Sequence, residues 1–298
     1  MNYIQNWTNS SAVEKDPILK EYNISINLKL IELEGRVLEA PDVQYGGAPT
    51  PSVATSKVIA EKGSWDHRNW KFVNSIPIKK WIVLNFSSRV KDSVAYDFAT
   101  ALIRIGKLHG INISEPLDYG EIKGNRGQSI NEDVRRLFEN MVTKYPGLEM
   151  IVAIFGGQTT IYNTIKTCGD IGFGVPTQGV EDKNVNRISD QTISNILLKM
   201  NTKLGGRNWF LSRQNRFFSM YLQELYQGPL MIFGADVTHP SPGDFKISES
   251  IAAVVGSLDK ECSFYAARLF AQKSPKGQAY EMIHSLNEMF LSLLREYF

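Results

Sequence analysis

The feature that most constrains this chain is a repeated change of hydrophobic period between residues 78 and 206. Short apolar runs alternate there with stretches whose apolar residues recur every three or four positions, so strands alternate with amphipathic helices. The run at 79–86 (KKWIVLNF) reads as a strand, and residues 92–109 place Val94, Phe98, Leu102, Ile105 and Leu108 on one helix face. Residues 111–113 read as a second short strand. Residues 132–145 return to helical spacing at Val134, Leu137, Phe138, Met141 and Tyr145, and Pro146 with Gly147 stops that helix. The run at 148–155 (LEMIVAIF) predicts a buried strand, followed by Gly156 and Gly157, a helix over 159–168 and a strand within 174–180. Ser189 or Asp190 caps a last helix carrying Ile193, Ile196, Leu197, Met200 and Leu204, closed by Gly205 and Gly206. Strands and helices in this order predict a parallel α/β sheet.

The pattern changes on either side. Residues 1–20 form a loose polar start, residues 24–30 alternate as a strand would, and residues 46–62 read as a loop rich in Pro, Gly, Ser and Thr. Residues 207–228 form an aromatic, basic connector. Three strand-like runs at 229–237, 250–258 and 263–272 then follow without helices between them, ahead of a long helix near 278–297. This predicts a second α/β domain starting near residue 229.

Composition excludes several classes. Of 298 residues, 43% are hydrophobic and 21% charged, which is globular rather than disordered. The formal net charge of +2 excludes a polycation but leaves room for a local basic patch. Two cysteines, Cys168 and Cys262, are too few for a disulfide framework or a Cys-rich zinc site, and read as free thiols. The first residues carry no signal peptide, and the densest apolar run is far shorter than the roughly 20 residues of a membrane-spanning helix. The chain reads as intracellular, with no membrane partner.

Two places could carry chemistry. Gly156 and Gly157 after a buried strand allow close backbone approach to a ligand at a helix N-terminus, although no Gly-Lys-Ser/Thr follows as in a Walker A loop. Tyr162 and Lys166 lie four residues apart on the next helix, as do Lys199 and Lys203 on the last one, so each pair shares a helix face. Residues 166–216 hold eight Lys or Arg against four Asp or Glu, a balance suited to a phosphate beside a stacked base. Solvated lysines on an uneven surface are the plain alternative. The second place is Asp236, read as ending a buried strand, where two-metal nucleases hold divalent cations; capping of the next turn is the alternative. His239 reads as a packed loop residue. Glu281, at the start of the last helix, reads as a favourable first-turn charge.

Several stretches in collinear order resemble eukaryotic Argonaute proteins: 35–47 (GRVLEAPDVQYGG), 63–72 (GSWDHRNWKF), 176–185 (PTQGVEDKNV), 192–206 (TISNILLKMNTKLGG), 231–244 (MIFGADVTHPSPGD) and 251–259 (IAAVVGSLD). The resemblance implies an extended linker-like segment over 1–75 and a Rossmann-like MID domain over 76–206. After a connector over 207–228, residues 229–298 resemble the first part of an RNase H-like PIWI domain. It also implies RNA-mediated silencing, with a cytoplasmic and also nuclear setting. The partners implied are a small single-stranded guide RNA with a 5′-phosphate, target RNA through that guide, and silencing-complex proteins.

By this resemblance Tyr162 stacks on the first base, Lys166, Gln178, Lys199 and Lys203 bind the 5′-phosphate, and Asn184 supports them. Gly157, Gln158, Thr159 and Thr160 belong to the loop that reads the first base; here Gly-Gln-Thr-Thr departs from the commoner Gly-Lys-Thr-Pro and leaves the preference open. Gly179 stands where relatives carry a larger residue and is expected to loosen the pocket. Asp236 matches the first acid of a slicer site and Glu281 its glutamate. Mg2+ is expected only where the set is complete, as in a longer slicer. This chain alone is therefore expected to bind and not to cleave; a non-binding remnant is the other reading.

Overall fold

The computed structural model describes residues 17–24, 31–37, 41–47, 53–54, 65–68, 70–121, 130–213, 223–240, 249–273 and 281–298. Residues 1–38 form one unit and residues 39–298 another. Within the first, helix α1 (Pro17–Glu21) is short and carries no buried residue. Ile24 and residues 31–37 carry no strand, and the rest of the strand expected over 24–30 lies outside the described residues.

The second unit is organised around a four-stranded parallel sheet of β3 (Trp81–Asn85), β4 (Tyr119–Glu121), β5 (Met150–Phe155) and β6 (Thr177–Glu181). Its order is β4-β3-β5-β6, with every pairing parallel. Both central strands are buried at every position. That is why they read as unbroken apolar runs: helices cover both faces. On one face Trp81, Val83, Met150, Val152 and Ile154 pack with Phe98 and Leu102 of α2 (Asp92–Leu108). Leu197 and Met200, from a later helix, join that cluster. On the other, Ile82, Leu84, Ile151 and Ala153 pack with Val134 and Phe138 of α3 (Ile130–Lys144), and with Ile161 and Ile165 of α4 (Thr159–Lys166).

The chain leaves α4 through a π-helical segment (Thr167–Phe173) and, after β6, makes the short helix α5 (Asp182–Asn186). It then forms α6 (Asp190–Lys203), which supplies Leu197 and Met200. Ser189 is the α6 cap, its Oγ accepting the Thr192 N–H at 3.2 Å. The strand expected at 111–113 is only an isolated parallel bridge from Ile113 to Ile78. The second strand of the sheet is β4 instead, whose Tyr119, Gly120 and Glu121 show no apolar run because its outer residues are exposed.

Long-range contacts fasten the segments around this sheet. β1 (Val43–Gln44) pairs antiparallel with both β2 (Val53–Ala54) and β7 (Phe210–Leu211), so part of the connector joins the early segment. Beside them Tyr45, Trp65, Trp70 and Trp209 form an aromatic cluster, with the Trp65 indole donating to the Tyr45 hydroxyl at 2.7 Å. Buried Asn201 donates to the carbonyl of Asn74 at 3.0 Å and accepts the Ile76 N–H at 3.0 Å. His109 stacks on Phe72 with ring centroids 4.6 Å apart, donates from Nδ1 to the Trp70 carbonyl at 2.8 Å and meets Ser194 Oγ through Nε2 at 2.9 Å.

The remaining residues form a three-stranded antiparallel sheet, β10-β9-β8, from β8 (Phe233–Thr238), β9 (Ser250–Ser257) and β10 (Tyr265–Gln272). Helix α7 (Leu286–Tyr297) covers one face, setting Met289 and Leu293 against Val254. On β10, Leu269 and Phe270 remain exposed. The final helix begins at Leu286 rather than near 278, and residues 274–280 lie outside the described ones.

The two buried histidines give this fold a pH signature. Burial pushes the His67 and His109 imidazoles below their ordinary value, despite the opposing pull of Asp66 on His67. The unfolded chain then takes up more protons, so stability is complete above about pH 6.5 and falls as pH drops toward the depressed folded values. Thermal midpoints should therefore decline from pH 7 to pH 5.5, and decline less in His109→Gln; equal slopes would show that His109 does not contribute.

Candidate functional site

The lysines singled out by the sequence meet on the free edge of the parallel sheet. Among the described residues β6 pairs only with β5, and Thr177 at its start is met by Lys166 of α4 and Lys203 of α6. Lys166 is the last residue of α4 and Lys203 the last of α6. The C-terminus of α6 carries partial negative charge, which favours the Lys203 ammonium there, whereas Lys166 is followed directly by the π-helical segment. Lys203 Nζ donates to the Thr177 carbonyl at 2.8 Å and to Gln178 Oε1 at 2.9 Å. Lys166 Nζ donates to Thr177 Oγ1 at 3.1 Å and pairs with the Asp170 carboxylate at 3.0 Å. Together they line a cleft of about 340 Å³ with Gly169, Asp170, Pro176 and Thr177.

The charges around this cleft are mostly positive. The stem of Lys203 is exposed, while its ammonium is turned onto Thr177 and Gln178. Desolvation, with the charges of Lys166 and Lys199 nearby, pushes the Lys203 ammonium down to about 8; Asp170 opposes that shift. Lys199 lies one helical turn before Lys203, exposed, and has no hydrogen bond or ion pair among the described residues. Around Lys203 the charges of Lys166 and Lys199 thus stand against one half-exposed carboxylate, a local surplus of positive charge.

Tyr162 stands one turn before Lys166, with its ring 40% exposed. It packs against Phe155 at 5.6 Å between centroids. A Cβ on Gly179 would lie 3.1 Å from Phe155 and 3.3 Å from the Tyr162 ring. Gly179 therefore does not leave a loose pocket: the two aromatic rings occupy the space a side chain would take. Asn184 sits half-buried on α5 and makes no hydrogen bond to the lysine cluster among the described residues.

The first-base loop lies at the opposite end of α4. Gly157 has φ +80°, the left-handed region that favours glycine. Gln158 and Thr160 are exposed, and Thr159 opens α4. The Gln158 carbonyl accepts the Tyr162 N–H at 3.1 Å. The chain runs outward from β3 to β4 and then back across to β5, so the winding changes direction between β3 and β5. A second cleft, of about 880 Å³, opens there, lined by Phe86, Ser87, Lys91, Glu121, Gln158 and Thr160. Parallel α/β sheets commonly bind ligands at such a switch point. The lysine cluster is elsewhere, along the β6 edge, where Lys166 and Lys203 meet Thr177 and Gln178.

Family models describe three stretches: the Argonaute linker 2 domain matches residues 1–45, the Mid domain of argonaute residues 59–139, and the Piwi domain residues 150–298. The chain belongs to the Argonaute family. Its structure is similar to that of Kluyveromyces polysporus Argonaute with a guide RNA, at TM-score 0.67 and 22% identity, over 88% of this chain and 32% of that one. It is similar to the C-terminal lobe of a budding yeast Argonaute at TM-score 0.67 and 23% identity, over 88% and 53%. Drosophila Piwi matches at TM-score 0.65 and 18% identity, over 95% and 36%. These likenesses establish the fold, a Rossmann-like MID domain followed by an RNase H-like Piwi part. The chain spans about a third of the Kluyveromyces polysporus and Drosophila proteins and about half of the C-terminal lobe.

In the Argonaute frame the two acids are placed differently from expectation. Asp236 lies within β8 rather than at the end of a buried strand, and it is exposed because β8 is the edge of its sheet. Glu281 lies in an extended stretch five residues before α7, with its carboxylate 79% exposed. Its Oε1 meets His239 Nε2 at 3.1 Å, while His239 Nδ1 meets Ser250 Oγ at 2.8 Å. His239 is thus engaged with an acid instead of merely packed. Among the described residues no three His, Cys, Asp or Glu side chains gather to hold a metal ion. No helix among the described residues is long and apolar enough to cross a membrane.

Sequence reasoning missed Asp170 and Thr177, which hold Lys166 through contacts that cross the π-helical segment. The i, i+4 spacing of Lys166 and Asp170 was available as a signal for the first. Amines methylated with a 13C label should show, besides the α-amino group with its ordinary value of about 8, one lysine titrating near pH 8 and absent in Lys203→Arg. Titration of every lysine above pH 10 would contradict the burial of that ammonium.

Proposed function

We propose that this Argonaute-family chain binds the 5′-phosphorylated end of a small single-stranded guide RNA. The observation that carries this reading is the convergence of the Lys166 and Lys203 ammonium groups on Thr177 and Gln178, one turn from the half-exposed ring of Tyr162. A phosphate dianion replaces Asp170 as the counter-charge of Lys166, and Lys199 adds a third ammonium. Tyr162 stacks on the first base, an interaction worth about 1–3 kcal/mol. Asn184 supports the phosphate, and residues 157–160 meet the edge of the base. The similarity to an Argonaute crystallised with a guide RNA supports a nucleic-acid ligand of this kind. Target RNA pairs with the guide, and the setting is RNA-mediated silencing with its protein partners in cytoplasm or nucleus.

A short RNA carrying a 5′-phosphate should bind at least about tenfold more tightly than its 5′-hydroxyl form, the scale of one charge-assisted hydrogen bond. Lys166→Ala should remove most of that difference in a fluorescence-anisotropy titration at physiological salt. Equal affinity of the two RNAs in the wild-type chain would dismiss the reading and favour a non-binding remnant, to which the exposed Leu269 and Phe270 of β10 would then belong.

Guided cleavage is not proposed for this chain alone, since Asp236 and Glu281 supply half of a slicer acid set. A guide paired to a complementary target should leave that target intact in Mg2+. Cleavage that disappears in Asp236→Asn would overturn this.

A further inference from the structure

The carboxyl ends of three strands are joined by one side chain that the phosphate site does not use. Arg89 follows β3 in a turn held by Asn85, whose side chain donates to the Val90 carbonyl at 2.9 Å and accepts the Ser87 N–H at 3.0 Å. From that turn, Arg89 Nε pairs with Asp182 Oδ2 at 2.8 Å, at the end of β6. Arg89 Nη2 donates to the Gly156 carbonyl at 3.0 Å, at the end of β5. The Asp182 carboxylate is only 8% exposed and also accepts the Ser87 hydroxyl at 2.8 Å, whereas the Arg89 side chain is 67% exposed. A Cβ on Gly156 would stand 2.9 Å from Arg89 Nη2, so the guanidinium lies close against the loop backbone at this position.

This bracket holds the first residue of the loop that leads into α4. Gly157 then turns through positive φ, and the Gln158 carbonyl accepts the Tyr162 N–H. Tyr162 lies in the first turn of α4, directly after this loop, and on the guide-binding reading the edge of a base stacked on its ring is met by residues 156–160. A planar fork is suited to hold two acceptors at fixed separation, which a lysine ammonium cannot do in the same way.

We propose that Arg89, anchored by buried Asp182, is a positioning residue that fixes loop 156–160 and thereby sets the chain's discrimination among 5′-terminal bases. The proposal rests on guide 5′-end binding at Tyr162 and the lysine cluster. Arg89 acts on the loop, whereas Lys166, Gln178 and Lys203, the groups assigned to the phosphate, are engaged with Thr177 and with one another.

The test is a titration of the full chain with four 5′-phosphorylated RNAs that differ only in the first nucleotide, plus their 5′-hydroxyl forms. The wild type should separate the four bases. In Arg89→Gln and Arg89→Lys the spread between best and worst base should shrink about threefold or more, the scale of one lost hydrogen bond. The phosphate-to-hydroxyl ratio should stay unchanged. Arg89→Lys keeps a positive charge beside Asp182, so a thermal midpoint near wild type together with lost discrimination separates positioning from general destabilisation. An unchanged spread in both variants overturns the proposal. So does a wild type that prefers phosphate but binds all four bases alike, a result that leaves the phosphate reading standing. A wild type with no phosphate preference overturns that reading and this proposal with it.

Discussion

The packing of residues 76–206 depends on the pairing of Trp81–Asn85 with Met150–Phe155 at the centre of the parallel sheet. Every residue of both strands is buried, and alternate side chains feed two separate cores. A polar substitution there would leave an unpaired group between two helical layers, where neither core offers water. The same pairing fixes where the loops emerge. Because the strands run parallel, the exits at residues 86–90, 156–160 and 181–182 come together at one end of the sheet. Helix α4 then carries the chain back along β6, so its final residue, Lys166, arrives at the other end of the edge strand. Loop and lysine cluster are the two ends of one helix.

The lysine cluster is an arrangement held against its own charge. Lys166 is held by the Thr177 hydroxyl and the Asp170 carboxylate and Lys203 by the Thr177 carbonyl and Gln178, yet burial and mutual repulsion disfavour the charged form of Lys203. Asp170 is the near counter-ion, and it is half-exposed, so its attraction is weakened by water. A strongly charged, multiply accepting anion suits such a place better than a carboxylate does, because it can receive several donors at once. Gln178 and Thr177 take the remaining directions, and Gly179 admits the aromatic rings that flank the cleft.

The Piwi part shows the opposite condition. Its three strands have α7 on one face, while Ile251, Leu269 and Phe270 stay exposed. Asp236 on β8 and Glu281 before α7 come from different elements, and only Glu281 has the His239 partner. A carboxylate on an exposed edge strand and one held by an imidazole are separate features. What made Asp236 seem buried was the apolar run before it. Residues 229–232 supply most of that run and precede the strand, whose own residues are mostly exposed.

Local periodicity was enough to reveal most of the helices and the two central strands, because burial on one helical face or on both sheet faces writes itself into neighbouring residues. The Ser189 cap and the stop near Gly205 were legible for the same local reason. The i, i+4 lysine pairs and the tyrosine could be isolated from spacing and charge, and the family resemblance supplied their roles. Strand β4 was missed because an edge strand with exposed outer residues has no apolar signature, and the bridge at Ile113 imitated one. What only the tertiary structure decided were contacts between residues far apart in the chain. These are β7 joining β1, Arg89 reaching both Asp182 and Gly156, and Lys203 meeting Gln178 on the free edge of β6. A sequence records the preferences of each segment, whereas strand order and the direction of each crossing determine which segment ends become neighbours.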